Sequence, residues 1–413
     1  SVPPHLLPKR DWTQLSNHTI QQAFLRRLEQ SDSFDPQTLK TAVEQCIPVA
    51  RPYRVPKFVR RQVQTLGDSS ALDDCLRQYK AERWSMKISM GDSSSTATHS
   101  LARCLKKYMK ENDASSSSKI DPRAAVEFFR ALHGPVDVDV YIPPCPPGRS
   151  FIIPPLRRED TRKILSSLNA KASPGQDGIT FAPWKVAKIS DIVTDKLTDW
   201  LNDLLAGRKA LPKRRSVMTF LPKNGPISPS NCRPLTLLGS DVKMFEGTLL
   251  YLLKQHAPSM LKFSPYQAAF SSGGCAMHHL LKMRLLMSEA RRLKLKRSFA
   301  FLDIQKAFNS VPTIWLCHLA CCKAKENPVA ADICSLIYNW LSGDPDVMTI
   351  NDCQGRPYDT VILKRGIPQG SKLSPWLFNQ AIDDLIDGLP DGSILAFADD
   401  IVLMGEDLET LQR

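Results

Sequence analysis

The chain has 413 residues, with 55 Lys and Arg against 42 Asp and Glu, which gives a formal net charge of +13. At roughly 100 to 200 residues per domain, this length allows two or three domains and excludes a small scaffold held together by disulfides or one metal. The hydrophobic fraction of 42% and the charged fraction of 23% are globular values that exclude wholesale disorder. The positive balance favours a polyanionic partner, because binding phosphates releases counterions.

The first predicted unit covers residues 1–118. It contains helical patterns such as Ile20–Leu28 and Leu101–Met109, and a cluster of basic residues comprising Arg51, Arg54, Lys57, Arg60 and Arg61. We predict a basic helical extension that binds RNA or template. Residues 119–156 follow a Ser-rich tract and include the run Pro143–Pro147, which fits neither a helix nor a central strand. They are predicted to form a Ser/Pro-rich linker.

The rest of the chain alternates helical patterns with short apolar runs. The helical patterns are Arg158–Leu168, Ile192–Leu205 and Asp241–Gln255, and the apolar runs are bounded by Gly and Pro. No stretch reaches the roughly 18 uninterrupted apolar residues of a membrane helix. The Cys-rich stretch Cys317–Cys322 has the spacing of one buried helix face rather than of a zinc site. The sequence therefore predicts an α+β or α/β body without a membrane partner.

Two windows carry acidic residues inside strand-forming runs. Ser298–Ile304 is a compact apolar run that contains Asp303 near its end, and in Ile394–Met404 the pair Asp399 and Asp400 interrupts an apolar run. The second window has room for only a two-residue turn, so we predict a hairpin with acids at its tip. Adjacent carboxylates repel each other, and a divalent cation removes that cost. On its own, the pair is more typical of a solvated turn than of a functional site.

Three segments occur in an order and spacing that resemble successive palm motifs of reverse transcriptases: Phe301–Val311, Gly366–Asn379 and Phe397–Asp400. The resemblance implies a right-hand polymerase fold of the α+β class, with the basic helical extension at its N-terminus. It implies fingers at residues 157–297 and an antiparallel-sheet palm at 298–413. Because the chain stops at Arg413, we expect the thumb to be absent and processive synthesis by this fragment alone to be weak or absent.

Four upstream segments narrow the resemblance. Ala172–Ile179 is similar to the extra motif that precedes the fingers in reverse transcriptases of non-LTR retrotransposons and group II introns. Leu221–Lys223 and Asn231–Leu235 resemble the finger strands. Tyr266–Cys275 resembles the segment before the first palm motif in site-specific non-LTR elements that carry a restriction-like endonuclease. These features identify a reverse transcriptase of a non-LTR retrotransposon as the family that the chain resembles.

The resemblance implies an RNA-directed DNA polymerase that transfers nucleotides from dNTP to a primer 3′ hydroxyl, with target DNA as the primer. Asp303, Asp399, Asp400 and the carbonyl of Ile304 are expected to hold two Mg²⁺ ions, with Mn²⁺ as a possible substitute. Phe308 is expected to lie under the incoming sugar and to exclude a 2′ hydroxyl. The alternative for Phe308 is an ordinary core aromatic.

The remaining expected contacts are made to the nucleotide. Lys223 and Arg233 fall where the fingers contact the triphosphate, and a solvated surface position is the alternative for both. Gln369 and Gly370 are expected to pack against the nascent base pair, Gly permitting close backbone approach. The expected partners are an RNA template, a DNA primer or target DNA, and dNTP, in the nucleus. Two alternatives stay open: a group II intron-like or domesticated reverse transcriptase, and a truncated non-catalytic copy that binds RNA.

Overall fold

The computed structural model describes residues 10–49, 120–134, 153–170, 172–223, 226–271, 274–343, 345–352, 355–390 and 392–412. The basic cluster at positions 51–61, the helical pattern at 101–109 and the proline run at 143–147 lie outside these described residues. The predicted roles of those segments stay predictions.

Within the described ranges, the α-helices are α1 (His18–Gln30), α2 (Pro36–Cys46), α3 (Pro122–Leu132), α4 (Arg158–Ser167), α5 (Phe181–Ala187), α6 (Asp191–Leu205), α7 (Ser240–His256), α8 (Ala276–Leu293), α9 (Ala307–Ser310), α10 (Thr313–Lys323), α11 (Pro328–Gly343), α12 (Leu373–Asp387) and α13 (Leu408–Gln412). The strands are β1 (Arg215–Pro222), β2 (Cys232–Leu238), β3 (Ser298–Asp303), β4 (Asp346–Asn351), β5 (Pro357–Leu363), β6 (Ile394–Phe397) and β7 (Asp400–Gly405). The helices predicted from Ile20, Arg158, Ile192 and Asp241 are confirmed. Among the described helices, none is long and apolar enough to cross a bilayer.

Short polar residues begin several of these helices. The side chain of Asp35 accepts a hydrogen bond from the amide of Thr38 at 2.6 Å, and Asp121 accepts from Arg123 in the same way at 3.1 Å. In both cases Pro occupies the first helical position. A capping carboxylate satisfies an otherwise free amide, and Pro lacks the amide that would go unpaired there. The starts of α2 and α3 are therefore dictated locally by sequence.

Helix α3 lies within the residues that the sequence predicts as a linker. Its Ala125, Val126 and Phe129 are buried, and the Phe129 ring stacks on Phe220 of β1 with centroids 5.5 Å apart. The amide of Lys364 also donates to the carbonyl of His133 just after the helix. Apolar residues spaced by three and four form one face of a helix, and that face has a sheet to cover. The first part of the predicted linker is thus an integral helix of the fold.

The larger sheet has four strands in the order β2-β1-β4-β5. Strand β1 pairs antiparallel with β2 and parallel with β4, and β4 pairs antiparallel with β5. Strands β1 and β2 precede the predicted fingers–palm boundary at 297/298, whereas β4 and β5 follow it. One sheet therefore combines residues from both sides of that boundary.

The smaller sheet has three antiparallel strands in the order β3-β7-β6. Strands β6 and β7 form a hairpin in which Phe397 pairs with Asp400, leaving Ala398 and Asp399 as the two-residue turn. The predicted strand at Ser298 and the predicted acidic hairpin are both confirmed. This sheet carries all three acidic residues that the sequence singles out.

A continuous hydrophobic core lies between the sheets and the helices. Its largest fully buried side chains include Trp184, Phe245 and Phe378. Cys317 and Cys321 are 1% and 3% exposed on α10, so the interpretation of the Cys-rich stretch as a buried helix face is confirmed. Helix α8 contributes little to this core, because Ala290 is the residue of α8 that is buried.

Candidate active site

A cleft is lined by the ends of both sheets and one face of α3. Of the predicted site residues, those that line it are Lys223, Arg233, Asp303, Ile304, Phe308, Gln369 and Asp399. Asp400 and Gly370 are not among its lining residues. The cleft has a volume of about 150 Å³, smaller than the roughly 300 to 1,000 Å³ of typical ligand pockets. A nucleoside triphosphate held here would extend out of the cleft toward solvent.

Strand pairing brings the three carboxylates to one end of the smaller sheet. Asp303 is the register partner of Asp400, and Asp399 precedes it in the hairpin turn. The amide of Ile304 donates to the carbonyl of Asp399 at 3.4 Å, which ties the end of β3 to the turn. In the described part of the chain, no basic side chain forms an ion pair with any of these three carboxylates. Their oxygens are therefore available to another cation.

The number of carboxylates at this end of the sheet, and the chemistry of their oxygens, decide which metal ion they could hold. Among the described residues, no group of three or more His, Cys, Asp or Glu side chains forms a ready-made metal site. Two carboxylates from separate strands, Asp303 and Asp399, do line the same cleft. Mg²⁺ is commonly bound through only one or two carboxylates, with substrate phosphates and water completing its shell. The residues present fit an ion that arrives together with a nucleotide.

Phe308 belongs to both the cleft and the core. Its ring stacks on Phe378 with centroids 4.7 Å apart and an interplanar angle of 14°, and it meets Phe270 edge-on at 6.1 Å. The side chain is half-buried and lines the cleft. Its ring is consequently held in one orientation at the cleft wall, and the two interpretations of this residue are compatible.

The loop before α12 is fastened to strand β2. The amide of Thr236 donates to the carbonyl of Gln369 at 2.7 Å. Gly370 has φ 143°, and a Cβ at this position would overlap the carbonyl oxygen of Thr236. The close backbone approach that Gly370 permits is therefore to β2. The preceding residue, Gln369, lines the cleft.

Lys223 and Arg233 lie near the open end of the β1–β2 pair. Arg233 is paired with Leu221 in the antiparallel register, and Lys223 follows β1 directly. Both residues are exposed, and no carboxylate of the described residues pairs with either one. Two cations and two carboxylates thus line the same cleft, a combination suited to a polyanion bound through metal ions.

Lys306 and Phe128 are among the lining residues that were not assigned from the sequence. Lys306 has φ 53°, a left-handed conformation, and its Nζ lies 4.4 Å from the ring centroid of Phe128 on α3. Both residues line the cleft. Lys306 lies three residues after Asp303, so its position in the motif was a usable signal. The sequence contains no such signal for Phe128, because this residue lies about 170 residues before the acidic motif, in a segment predicted as linker.

A buried cluster of charged residues also holds the loop that precedes α12. Glu246 on α7 accepts hydrogen bonds from Ser371 Oγ at 2.6 Å and from the Lys372 amide at 2.7 Å. Arg214 pairs with Asp346 through Nε at 2.9 Å and Nη2 at 2.7 Å, and lies 3.8 Å from Glu246. Burial raises the pKa of Glu246, an effect that the Arg214 charge opposes. The cluster links β1, β4, α7 and the loop.

Comparison with known proteins agrees with this arrangement. Residues 221–413 match a family model described as reverse transcriptase (RNA-dependent DNA polymerase). This segment is therefore similar to reverse transcriptase domains. The match includes every predicted site residue, from Lys223 to Asp400, and it supports the predicted enzyme class.

Relatives of the reverse transcriptase domain come from mobile elements. The chain is 27% identical over 272 residues to the "Retrovirus-related Pol polyprotein from type-1 retrotransposable element R2" of Popillia japonica, covering 62% of this chain and 35% of that protein. It is 25% identical over 260 residues to the "RNA-directed DNA polymerase from mobile element jockey" of Drosophila funebris, covering 60% and 27%. These relatives support a non-LTR reverse transcriptase, and the chain spans about a third of their length or less.

One solved structure is similar over about half of the chain. It is the "Structure of apo telomerase from Candida Tropicalis truncated from C-terminal domain", with a TM-score of 0.33 and 12% identity, covering 51% of this chain and 48% of that one. A similarity of this size does not establish a shared topology.

Proposed function

We propose that this chain is the polymerase core of a non-LTR retrotransposon reverse transcriptase, which transfers nucleotides from dNTP to a primer 3′ hydroxyl on an RNA template. The observation that carries the proposal is one cleft lined both by carboxylates from β3 and the β6–β7 turn and by cations at the end of the β1–β2 pair. A right-hand arrangement of fingers and palm is part of the same proposal.

The carboxylates act as ligands for divalent metal. Asp303 and Asp399 would hold Mg²⁺ with help from Asp400 and the carbonyl of Ile304. When bound, the metal supplies Lewis-acid activation of the 3′ hydroxyl and neutralises charge that develops on the pyrophosphate. The protein contributes the position of the carboxylates, since β3 and β7 fix the distance between their backbones. Mn²⁺ suits the same oxygen ligands.

The other lining residues bind and select the nucleotide. Lys223 and Arg233, with Lys306 beside them, offer positive charge to the triphosphate. Phe308 presents a ring that is fixed by Phe378, so that a 2′ hydroxyl on the sugar would meet a rigid wall. Gln369 is held by β2 at the wall where the base pair would lie. The cleft thus has a separate group for each part of a dNTP.

The relatives suggest the biological setting. The names of the R2 and jockey proteins describe them as products of mobile elements. We extend this to target-primed synthesis in the nucleus, with nicked target DNA as the primer. The similarity to retrotransposable element R2 favours a retrotransposon enzyme over a group II intron-like enzyme. Our proposal of a site-specific element with a restriction-like endonuclease rests on the segment Tyr266–Cys275.

The test is dNTP incorporation on a primed RNA template by this chain, with Mg²⁺ and separately with Mn²⁺. The wild-type chain is expected to extend the primer, and Asp399→Asn is expected to abolish extension while RNA binding, measured by filter retention, stays unchanged. If the wild-type chain binds RNA but incorporates no nucleotide with either metal, the chain is an RNA-binding module instead.

A further inference from the structure

A segment that the proposed function leaves without a role runs beside the acidic hairpin. Residues 266–268 lie along β6 on the edge opposite β7, where Gln267 forms a parallel bridge with Ala396. The amide of Ala268 donates to the carbonyl of Ala396 at 3.0 Å, and the amide of Ala396 donates to the carbonyl of Tyr266 at 2.7 Å. The backbone at Gln267 is thereby fixed relative to the hairpin.

The side chain of Gln267 reaches the hairpin turn. The residue is 2% exposed, and its Oε1 accepts hydrogen bonds from the amide of Ala398 at 3.1 Å and from the amide of Ala269 at 2.9 Å. One oxygen therefore connects the turn to the segment beside β6. No other hydrogen bond to the Ala398 amide is found among the described residues.

The turn needs such support because its backbone is unfavourable. Ala398 has φ 57°, a left-handed conformation that residues with a Cβ rarely adopt. Asp399 is the next residue, and its carbonyl accepts from the amide of Ile304 at 3.4 Å. The turn is thus held on one side by Gln267 and on the other by the end of β3. Any relaxation at Ala398 would rotate Asp399 away from Asp303.

The other end of the Gln267 amide takes no part in this contact. Its Nε2 is buried and has no hydrogen-bond partner within the described ranges. The support of the turn therefore comes from the acceptor oxygen of Gln267, and its nitrogen adds nothing to it. Gln380 on α12 is a buried glutamine of the same environment, 3% exposed, that bonds the carbonyl of Trp376 on its own helix and does not touch the turn.

We propose that Gln267 is a positioning residue, which holds the Ala398–Asp399 turn so that Asp399 faces the metal site beside Asp303. This inference rests on the proposed function, and it assigns a role to the motif Tyr266–Phe270. It requires the acceptor oxygen of Gln267 and not its nitrogen.

The test compares three variants of the full chain: Gln267→Met, which removes the acceptor at nearly constant size, Gln267→Glu, which keeps an acceptor oxygen, and the matched control Gln380→Met. Hydrogen exchange of the peptide that contains Ala398 is measured by mass spectrometry, and Mn²⁺ affinity by electron paramagnetic resonance. We expect Gln267→Met to speed exchange of the Ala398 amide and to weaken Mn²⁺ binding, each at least tenfold. Gln267→Glu and Gln380→Met should stay within about threefold of wild type in exchange.

Activity supplies an independent readout. In primer extension, Gln267→Met is expected to lower kcat about tenfold or more with little change in the KM for dNTP, because the triphosphate contacts are left in place. If Gln267→Met leaves both amide exchange and Mn²⁺ affinity unchanged, the inference is overturned. If exchange and Mn²⁺ affinity change as expected but the wild-type chain incorporates no dNTP, the polymerase proposal fails while the role of Gln267 at a metal-binding turn stands.

Discussion

Asp303 and Asp400 face each other across the pairing of β3 with β7, one residue beyond the pair Leu302–Ile401. A slip of the register by one residue would move every side chain of a strand to the opposite face of the sheet. The pairing therefore brings Asp303 and the turn residue Asp399 to the same end of the sheet, where both line the cleft.

This arrangement ranks the three carboxylates. We expect Asp303→Asn and Asp399→Asn each to lower the rate of dNTP incorporation at least about 100-fold, since a lost metal ligand removes several kcal/mol of charge stabilisation. Asp400→Asn should have a smaller effect, because Asp400 does not line the cleft. Single-turnover primer extension measures all three. The exposed Asp387→Asn on α12 is the control, and equal losses at Asp400 and Asp399 would contradict the ranking.

Phe308 should control the choice of sugar. Replacing it by Val removes the ring from the cleft wall, and we expect the ratio of kcat/KM for dNTP to that for the matching ribonucleotide to fall about tenfold or more. Because the ring also stacks on Phe378, lost packing must be separated from lost selection. Phe378→Leu breaks the same stack from a position that is 1% exposed and outside the cleft lining. It should lower stability but keep the Phe308 ring at the cleft wall, so the ratio should fall much less than in Phe308→Val.

Two glycines provide a matched test of the loop on β2. Gly370→Ala is expected to lower the free energy of unfolding by about 1–3 kcal/mol, because φ 143° disfavours a Cβ and the Thr236 carbonyl occupies its place. Gly343→Ala at the end of α11 meets no atom within 4 Å, and should change stability by less than about 1 kcal/mol. Urea denaturation of both variants checks this. A neutral Gly370→Ala would show that the loop can move off β2.

The buried ion pair of Arg214 should be essential for stability. Asp346→Ala leaves the guanidinium of Arg214, whose side chain is 2% exposed, without its bidentate partner. We expect a loss of about 3–5 kcal/mol in the free energy of unfolding. The exposed pair Arg123–Glu127, with side chains 78% and 67% exposed, gives the comparison. Glu127→Ala should cost less than about 1 kcal/mol.

Asp241 should make stability depend on pH. Burial, and secondarily the charge of Asp177, raise the pKa of Asp241 from 3.8 to about 6. Between these values the unfolded chain releases the proton while the folded chain keeps it, so stability falls as pH rises. The loss reaches about 3 kcal/mol above pH 6 at 1.36 kcal/mol per pKa unit.

The side chain of the Asp241→Asn variant does not titrate, and its oxygen can still accept the hydrogen bond from the backbone amide of Val242. The difference in unfolding free energy between Asp241→Asn and wild type should therefore grow by about 2.4 kcal/mol from pH 4 to pH 7. Denaturation curves at both values measure it. Parallel pH profiles for the two proteins would show that the Asp241 carboxyl is solvated in the folded state.

The strands and turn that carry the acids could be predicted because local rules decide them. The apolar run before Asp303 and the short gap at Asp399 leave few alternatives to a strand and a tight hairpin. Arg233 and Lys223 were predicted because their segments resemble finger strands. Their charge alone does not distinguish them from solvated surface residues. The geometry then confirmed that these residues share a cleft.

What could not be predicted depends on contacts between remote segments. Nothing in the sequence around Phe128 indicates that α3 covers the sheet edge near Lys306, since helix amphipathicity names a buried face and not its partner. The role of Gln267 was equally hidden. Its side chain acts on Ala398, 131 residues away, through a single hydrogen bond.

The parallel pairing of β1 with β4 has a consequence for biosynthesis. The ion pair at the start of these strands joins Arg214 to Asp346, which are 132 residues apart. During translation the β1–β2 ribbon leaves the ribosome long before β4 has been synthesised. Until then, the edge of β1 that pairs with β4 has no partner strand. Strand β3 is made within that interval. The larger sheet and the acidic hairpin are therefore completed only when the last third of the chain has emerged, so a chaperone that shields the β1 edge would protect the nascent protein from aggregation.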